Sequence, residues 1–280
     1  MLTAELSAGL GNRLFALASA IHLSKDCNEP LTIVWDIGNG FGARFQDLFE
    51  MPNAYPIFNI SRDGFHSSPL LYLKSRGIIR KLEHDTTLLL RSGAIKVLFQ
   101  NENGYETLRD LVIMEKNIHI DAYSYYFPDN ELNPKYYECI TPSQKVLAFA
   151  DKDLSKIKAS TYGLHIRRTD HVDAISHSPT QLFVDMISSI LSTEPGATFY
   201  LASDSLETIR EITNTFGSDT ILSQSNPVIS RKSSEGAFCA FSDMLCLSKC
   251  RKIYGSYGST FGKLASVLGN CELTILQDKE

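Results

Sequence analysis

Four polar residues within a run of nine could hold an anion. The run Tyr-Gly-Leu-His-Ile-Arg-Arg-Thr-Asp occupies positions 162–170 and contains His165, Arg167, Arg168 and Asp170. The planar guanidinium group of arginine donates paired hydrogen bonds to phosphate or carboxylate oxygens. In a protein whose net charge is −5, this concentration of cationic side chains predicts an anion-binding site. An ion-pair network between Asp170 and either arginine explains the same residues, so both interpretations stay open here.

The same run has the period of a β-strand. Tyr162, Leu164 and Ile166 fall at every second position, which is the spacing of one face of a strand. The apolar face would pack on a core. His165 and Arg167 would then share the other face, at the carboxyl end of the strand.

The second half of the chain predicts a parallel sheet that would position this run. We expect further strands at 198–202, 220–222, 252–254 and 272–276, and helices at 180–191, 206–216, 236–249 and 259–268. Strands that alternate with helices are typical of a parallel sheet covered on both faces. In such sheets ligands bind beyond the carboxyl ends of the strands. Polar residues stand at three of these ends: 165–170, Ser203 with Asp204, and 255–260.

The N-terminal segment also predicts strand, loop and helix. A strand at 2–6 leads into Gly9, Leu10, Gly11 and Asn12, and a helix follows. This arrangement directs backbone N–H groups and a positive helix end toward a bound anion or sugar. The loop is neither a dinucleotide fingerprint nor a Walker loop, and a tight turn explains it equally well. We place the domain boundary at 150, because residues 128–160 are largely polar and rich in turn residues.

Composition excludes several classes of protein. Hydrophobic residues form 43% of the 280 positions, so a sizeable core is available. The net negative charge and the lack of a basic tract argue against nucleic acid as a partner, and no apolar run is long enough for a transmembrane segment. Six scattered cysteines predict reduced thiols and a cytoplasmic protein. Cys239, Cys246 and Cys250 share a helix face with Asp243; metal binding is the alternative there, but burial is the commoner use of cysteine.

Five motifs, in order, resemble those of the GDP-fucose-dependent fucosyltransferases, which comprise the alpha-1,2, alpha-1,6 and protein O-fucosyltransferase families. The segment His165–Asp170 is similar to their His-x-Arg-Arg-x-Asp motif. The other four are the Gly-x-Gly-Asn loop at 9–12, the strand ending in Ser-Asp at 199–204, the Asp-x-x-x-Leu-Ser-x-Cys helix at 243–250 and Ser-Thr-Phe at 259–261. Each motif alone is weak, whereas the ordered set is specific.

The resemblance implies an α/β protein of GT-B fold, with two facing Rossmann-like domains built on parallel sheets, here in a compact version. Residues 1–150 would form the domain on the acceptor side, and residues 151–280 the domain that binds the donor. The implied reaction is the transfer of fucose from GDP-fucose to a hydroxyl of a glycan or glycoconjugate, with inversion. The resemblance implies neither a cofactor nor a metal ion.

The resemblance also implies roles for individual residues. Arg167 would neutralise the charge that develops on the β-phosphate of the leaving GDP. The other donor-binding residues would be Gly9, Leu10, Gly11, Asn12, His165, Ser203, Asp204, Asp243, Ser259, Thr260 and Phe261. Among them Asp243 would accept hydrogen bonds from guanine, His165 would position the ribose or base, and Asn12 would reach the phosphate or the acceptor. The strand period, rather than the resemblance, puts Arg168 on the side opposite Arg167, where it would support folding through Asp170.

The general base is the point at which the chain departs from these families. The alpha-1,6 enzymes carry an acidic residue a few positions after the motif, where this chain has Ile175. Asp173 is the nearest carboxylate and therefore the candidate base. Two alternatives stay open: a transferase that uses a different GDP-sugar, and a non-catalytic module that binds a nucleotide or a glycan.

Overall fold

The computed structural model describes residues 1–38, 41–50, 55–60, 95–98, 105–114, 118–122 and 125–278. The chain divides into two compact units. Unit 1 comprises Met1–Phe45 and Met51–Glu131, and unit 2 comprises Gln46–Glu50 and Leu132–Glu280. In the residues described, none of the helices combines the length and the apolar character that a membrane crossing requires.

Unit 1 is built on a parallel five-stranded sheet. Its strands are β1 (Leu2–Leu6), β2 (Leu31–Asp36), β4 (Ile57–Ile60), β5 (Ile95–Leu98) and β6 (Ile118–Ala122), and its main helices are α1 (Leu10–Asp26) and α3 (Tyr105–Met114). The order across the sheet is β4-β2-β1-β6-β5. Every residue of the central strand β1 is buried, because it has a neighbour on each side and α1 packs against it.

Unit 2 holds the second parallel sheet and most of the helices in the described ranges. Its strands are β8 (Tyr162–Ile166), β9 (Phe199–Ser203), β10 (Ile221–Leu222), β11 (Lys252–Ser256) and β12 (Glu272–Leu276). Its helices are α4 (Gln144–Leu154), α5 (Val172–His177), α6 (Thr180–Thr193), α7 (Leu206–Phe216), α8 (Ser234–Ser248) and α9 (Thr260–Gly269). The strand order is β10-β9-β8-β11-β12, with β8 at the centre. A short antiparallel pair, β3 (Phe49–Glu50) with β7 (Thr141–Pro142), follows the short helix α2 (Phe45–Leu48).

The apolar face of β8 packs into the core of unit 2, as its alternation predicts. Tyr162, Leu164 and Ile166 belong to one buried cluster with Phe183 and Ile187 of α6. Full burial of side chains such as Leu164 and Ile166 contributes roughly 1.5–3 kcal/mol each. Because the strand period is two, this packing turns His165 to the other face.

Gly163 lets helix α8 approach the other face of β8 closely. A Cβ atom at this position would lie 3.0 Å from the Leu247 side chain and 3.1 Å from that of Ile253. Real Cβ contacts are rarely that short, so a larger residue would push the helix away from the sheet.

The alternation of strands and helices after residue 162 is confirmed, and the fold class is the one expected. The helix α5 was not predicted from the sequence. Its six residues are too few to show a periodic pattern, and it is capped by a histidine rather than by one of the usual serine, threonine, aspartate or asparagine residues.

The expected boundary at residue 150 falls inside helix α4 of unit 2, whereas the compact units divide after Glu131. Ser143 caps α4 by accepting a hydrogen bond from the backbone N–H of Val146 at 3.2 Å. The helix packs along α8, which gives this polar segment an apolar contact within unit 2.

Candidate functional site

The carboxyl ends of β8, β9 and β11 lie side by side and form the candidate site. Ser256, at the end of β11, accepts a hydrogen bond from the backbone N–H of Arg167 at 3.0 Å. The hydroxyl of Ser256 also lies 3.4 Å from the carbonyl of His165, to which it donates. On the other side, Ser203 of β9 donates to the carbonyl of Ile166 at 2.7 Å. Two serines therefore join the end of the central strand to both neighbours.

Asp204, immediately after β9, shapes the loop that carries the arginines. Its carboxylate accepts the backbone N–H of Arg168 at 2.7 Å and that of Thr169 at 3.1 Å. It also accepts the hydroxyl of Thr169 and lies 3.0 Å from Nη1 of Arg167. The resemblance implied that Asp204 is one of the donor-binding residues. In the structure its bonds go to the loop, and its electrostatic effect is to hold Arg167.

Arg167 lies just beyond the end of β8, with 19% of its side chain exposed. Its guanidinium group pairs with the carboxylates of Asp204 and Asp170. Arg231, from the loop before α8, pairs with the other oxygen of Asp170. The two arginines keep the pKa of Asp170 below its usual range, although partial burial acts in the opposite direction. The ion-pair interpretation of the motif thus describes Arg167 in this structure.

Arg168 points away from this group and braces the start of helix α6. Its side chain donates to Thr180 Oγ1 at 3.0 Å, to the carbonyl of Ser178 at 2.8 Å and to the carbonyl of Arg167 at 2.6 Å. The prediction that Arg168 supports the structure agrees with these bonds. The expected partner was wrong, because Asp170 bonds to Arg167 and Arg231 instead.

His165 is almost completely buried, at 5% exposure. Its ring stacks on Phe261 of α9, with centroids 4.9 Å apart. Nδ1 is buried and has no hydrogen-bond partner among the described residues, and it lies 3.5 Å from the point where a Cβ atom of Gly262 would stand. Burial and the nearby positive charge of Arg167 lower the pKa of His165 to about 4. The imidazole is therefore neutral at physiological pH and faces the first turn of α9.

The N-terminus of helix α9 lies next to the end of β8. Ser259 is the N-cap residue, is 8% exposed, and makes no capping hydrogen bond through its side chain. Thr260 and Phe261 follow in the first turn. Gly258 adopts a left-handed conformation, with φ of 65°, and a Cβ atom there would lie 3.0 Å from the ring of His171. The positive end of a ten-residue helix therefore adds to the field of Arg167.

Asp243 lies on α8, and its carboxylate is already engaged by a tyrosine. Oδ1 accepts a hydrogen bond from the hydroxyl of Tyr200 at 2.7 Å. Burial raises the pKa of Asp243 to about 7, and burial also raises the pKa of Tyr200. The carboxyl group thus titrates near neutral pH, and protonation would remove one acceptor that a base could use.

Asp173, the candidate base, is exposed in the first turn of the short helix α5. His171 caps this helix by accepting the backbone N–H of Ala174 on its Nδ1 at 3.0 Å. Ile175 lies in the same helix and is 40% exposed. The structure thus puts the nearest carboxylate after the motif at the surface of unit 2, in the segment that follows Asp170.

The predicted glycine loop of unit 1 forms the start of helix α1. Gly9 is its N-cap in an extended conformation, with φ of −74° and ψ of 166°. Leu10 and Gly11 are buried in the first turn, and Asn12 is half-buried beside them. Ala8, just before the cap, has a left-handed φ of 70°.

Arg13 holds this turn from inside unit 1. Its side chain is fully buried and donates to the carbonyl of Ala8 at 2.7 Å and to that of Leu6 at 3.0 Å. The guanidinium lies 4.7 Å from the ring centroid of Trp35 and 4.5 Å from that of Phe41. Burial lowers the pKa of Arg13 to about 10. A buried cation between two rings therefore fixes the left-handed residue before α1.

Sequence reasoning missed three residues at these loops. Ser256, His171 and Arg231 stand outside the recognised motifs, and their contacts come from different parts of the chain. Only Ser256 could have been found from the sequence, because it lies in the polar segment 255–260 at the predicted carboxyl end of a parallel strand.

The cysteines predicted to share a helix face with Asp243 do not form a metal centre. Within the described ranges, no three His, Cys, Asp or Glu residues are grouped to hold a metal ion, and all six cysteines are free. Burial raises the pKa of Cys246 to about 12, so this thiol is kept protonated and packs as a small apolar group.

Two units, each with a parallel sheet and a loop or cap at the carboxyl ends of its strands, are the architecture of the GT-B fold. Solved structures that resemble the chain include fucosyltransferases. No protein-family model matches the sequence, and no curated protein matches it.

Three of the similar structures illustrate the match. An Arabidopsis thaliana FUT1 mutant in complex with GDP superposes with a TM-score of 0.63 at 18% identity, covering 100% of this chain and 70% of that one. The fucosyltransferase NodZ from Bradyrhizobium gives 0.59 at 16%, covering 95% and 93%. POFUT1 in complex with GDP-fucose gives 0.58 at 11%, covering 98% and 97%. The expected GT-B fold, and with it the resemblance to the fucosyltransferases, is confirmed at the level of the fold.

Proposed function

We propose that this chain is an inverting glycosyltransferase that moves fucose from GDP-fucose to a hydroxyl group of a glycan or glycoconjugate. The observation that carries the proposal is the position of Arg167. It lies at the carboxyl end of β8 and is tied through Ser256 to the segment that leads into α9. Support also comes from two of the similar structures, which are complexes with GDP and with GDP-fucose.

The proposed reaction breaks the bond between the anomeric carbon of fucose and the β-phosphate oxygen of GDP. The acceptor oxygen attacks the anomeric carbon from the opposite side, so the configuration inverts, and GDP leaves with the bonding electrons. Negative charge grows on the β-phosphate during this step. Arg167 and the N-terminus of α9, with Ser259 and Thr260, stabilise that charge because they are already oriented before the reaction.

The same groups make a metal ion unnecessary in the proposed mechanism. A guanidinium and a helix N-terminus supply the positive charge that a divalent cation supplies in other phosphate sites. We therefore propose that the enzyme uses no cofactor.

Specificity for the base is assigned to Asp243 on α8. As a carboxylate it accepts N1–H and N2–H of guanine, a pair of donors that neither adenine nor uracil presents. Tyr200 holds Oδ1 at 2.7 Å and orients the group. His165, stacked on Phe261, packs against the ribose or base as a neutral ring.

The acceptor side is assigned to unit 1, with Asn12 at the start of α1 as a contact. The acceptor hydroxyl must lose a proton, and Asp173 is the proposed base. Its place in the first turn of a short exposed helix leaves its carboxylate open to an incoming sugar. Asp173→Asn should then abolish transfer while GDP affinity is retained, with Asp185→Asn on the surface of α6 as the control.

A thermal-shift screen with GDP, UDP, ADP and their sugars tests the nucleotide. A ligand present at about 100 times its Kd stabilises the folded state by about 2.7 kcal/mol, which is a readily measured shift. GDP and GDP-fucose should stabilise the protein and the others should not. Equal shifts with all three nucleotides would contradict the role of Asp243.

A non-catalytic binding module is the second candidate, because Ile175 stands where the alpha-1,6 enzymes carry an acid. Assays of GDP release from GDP-fucose, with and without glycan acceptors, separate the two. Binding of GDP with no turnover for any GDP-sugar would favour the module, and turnover of a GDP-sugar other than GDP-fucose would identify a different donor.

A further inference from the structure

Asp170 carries two guanidinium groups at once. Its Oδ1 pairs with Nη2 of Arg167, and its Oδ2 pairs with Nη2 of Arg231. The carboxylate is 52% exposed, and the side chain of Arg231 is 40% exposed. The carboxylate of Asp170 thus links Arg167, the first residue after β8, to Arg231, which lies more than sixty positions later in the chain.

Arg231 is presented by a turn that is anchored to helix α8. Ser233, the N-cap of α8, donates through its backbone N–H and its hydroxyl to the carbonyl of Ser230, at 3.3 and 3.2 Å. Its hydroxyl also accepts the backbone N–H of Gly236 at 3.0 Å. The Ser230 carbonyl lies so close to α8 that a Cβ atom on Gly236 would stand 1.9 Å from it. The start of α8 therefore fixes the position of the turn that carries Arg231.

The two carboxylates that pair with Arg167, those of Asp204 and Asp170, differ in their other hydrogen-bond partners. Asp204 accepts two backbone N–H groups and one hydroxyl from residues 168–169, so it cannot leave without disrupting the loop. The partners of Asp170 are the two arginine side chains, at an exposed position. Among these four charged groups, Asp170 is the one that an incoming anion can replace.

We propose that Arg167 and Arg231 form a two-arginine site for the diphosphate of the donor, and that Asp170 occupies this site until the diphosphate displaces its carboxylate. The inference rests on the proposed function, because it takes the ligand to be a nucleoside diphosphate. A carboxylate presents two oxygens to two guanidinium forks in the way that a phosphate does. A diphosphate carries more negative charge and more acceptor oxygens than one carboxylate, so it competes successfully for both arginines.

The arrangement has a function before the ligand arrives. Two arginines facing a common point repel each other, and the carboxylate between them removes that repulsion. Asp170 therefore holds the two guanidinium groups together in the absence of ligand, and the diphosphate must compete with its carboxylate for both. Arg231 is then a binding residue for the diphosphate, supplied by the loop before α8.

Calorimetric titration with GDP, guanosine and inorganic pyrophosphate tests the site. Arg231→Gln should weaken binding of GDP and of pyrophosphate about tenfold or more, as expected for loss of a hydrogen bond to a charged group. Binding of guanosine, which has no phosphate, should stay unchanged, and Arg231→Lys should recover part of the loss. Arg251→Gln is the matched control, because it removes one exposed arginine at the opposite ends of the same strands.

Asp170→Asn tests the displacement. This variant keeps both arginines and removes the competing charge, so it should bind pyrophosphate at least as tightly as the unaltered protein. A tenfold loss with Asp170→Asn would overturn the displacement, and GDP affinity within twofold of normal in Arg231→Gln would overturn the two-arginine site. If the unaltered protein binds guanosine and GDP equally, the diphosphate site itself is wrong. If it binds no guanine nucleotide, the proposed function fails and the inference with it.

Discussion

The carboxylate of Asp204 holds Thr169 twice, through its backbone N–H at 3.1 Å and through its hydroxyl. Asp204 follows β9 and Thr169 follows β8, so a residue at the end of one strand fixes the loop that follows the neighbouring strand. Loops in a parallel sheet are far apart in sequence, and a side chain that accepts backbone donors is an effective way to fix one against another. The direction of Arg167 depends on this bond.

The first prediction concerns the removal of that carboxylate. Asp204→Ala leaves the backbone N–H groups of Arg168 and Thr169 without their acceptor. A buried donor that loses its acceptor lowers the unfolding free energy by roughly 1–3 kcal/mol. Because the loop is partly exposed, water will offset some of this loss. We expect a fall in the unfolding free energy measured by urea titration, and a larger fall in GDP affinity. Asp219→Ala, at an exposed site in the turn between α7 and β10, should change neither, and a normal GDP affinity in Asp204→Ala would contradict the role given to the loop.

The second prediction separates the two arginines of the motif. Arg167→Lys keeps the charge and loses the planar fork, so kcat should fall by ~10²–10³ while GDP affinity falls less. Arg168→Lys cannot span Thr180 and the two carbonyls that the guanidinium reaches, so Tm should fall while kcat of the folded enzyme changes little. Melting curves and single-turnover assays on both variants measure this. Normal turnover in Arg167→Lys together with loss in Arg168→Lys would transfer the catalytic role to Arg168.

The third prediction is a pH dependence from Asp243. Its pKa in the folded protein is about 7, above the ordinary value of an unfolded aspartate, so the folded state binds the extra proton between these values. Stability must therefore fall with rising pH from about 4 to 7 and level off above, as far as this group is concerned. Guanine needs the ionised form, so GDP affinity should rise across about pH 6 to 8.

Asp243→Asn removes the titrating group and should remove its contribution to both slopes. Urea titrations and calorimetry at several pH values, on the unaltered protein and on this variant, give the comparison. A GDP affinity that is flat with pH in the unaltered protein would show that Asp243 does not face the base as a carboxylate.

The fourth prediction concerns metal ions. Transfer of fucose should continue in excess EDTA, because in the proposed mechanism Arg167 and the start of α9 stabilise the phosphate charge. A metal-dependent transferase assayed in the same buffer is the control for chelation. Loss of activity that Mg²⁺ or Mn²⁺ restores would overturn the proposed mechanism of charge stabilisation.

The parallel sheet of unit 2 could be predicted from the sequence because its signal is local. Apolar residues at every second position of β8 can face only one way, and a buried face fixes the rest of the strand. The carboxyl-end positions of Ser203 and Asp204 then follow from the sheet. Helix α5 has no such signal, since its one special feature is a ring nitrogen of His171 acting as a cap.

The partners of charged residues could not be predicted from the same pattern. Asp170 was expected to pair with either arginine of the motif, and its second partner, Arg231, lies in a loop with no periodic pattern. Asp243 was expected to face a base, and no sequence feature linked it to Tyr200, because the two residues meet only when α8 packs across β9. Tertiary contacts of this kind depend on the packing of whole elements, whereas periodicity reports only on the element itself.

The close contact at Gly163 makes the site sensitive to a residue that is remote from it. Leu247, which meets this glycine, stands one turn after Asp243 on the same face of α8. A methyl group added at position 163 would therefore push α8 away from the sheet and move the carboxyl group of Asp243 away from Tyr200. In this protein the distance between β8, which leads to Arg167, and the helix that carries Asp243 is set by a hydrogen atom where other residues carry carbon.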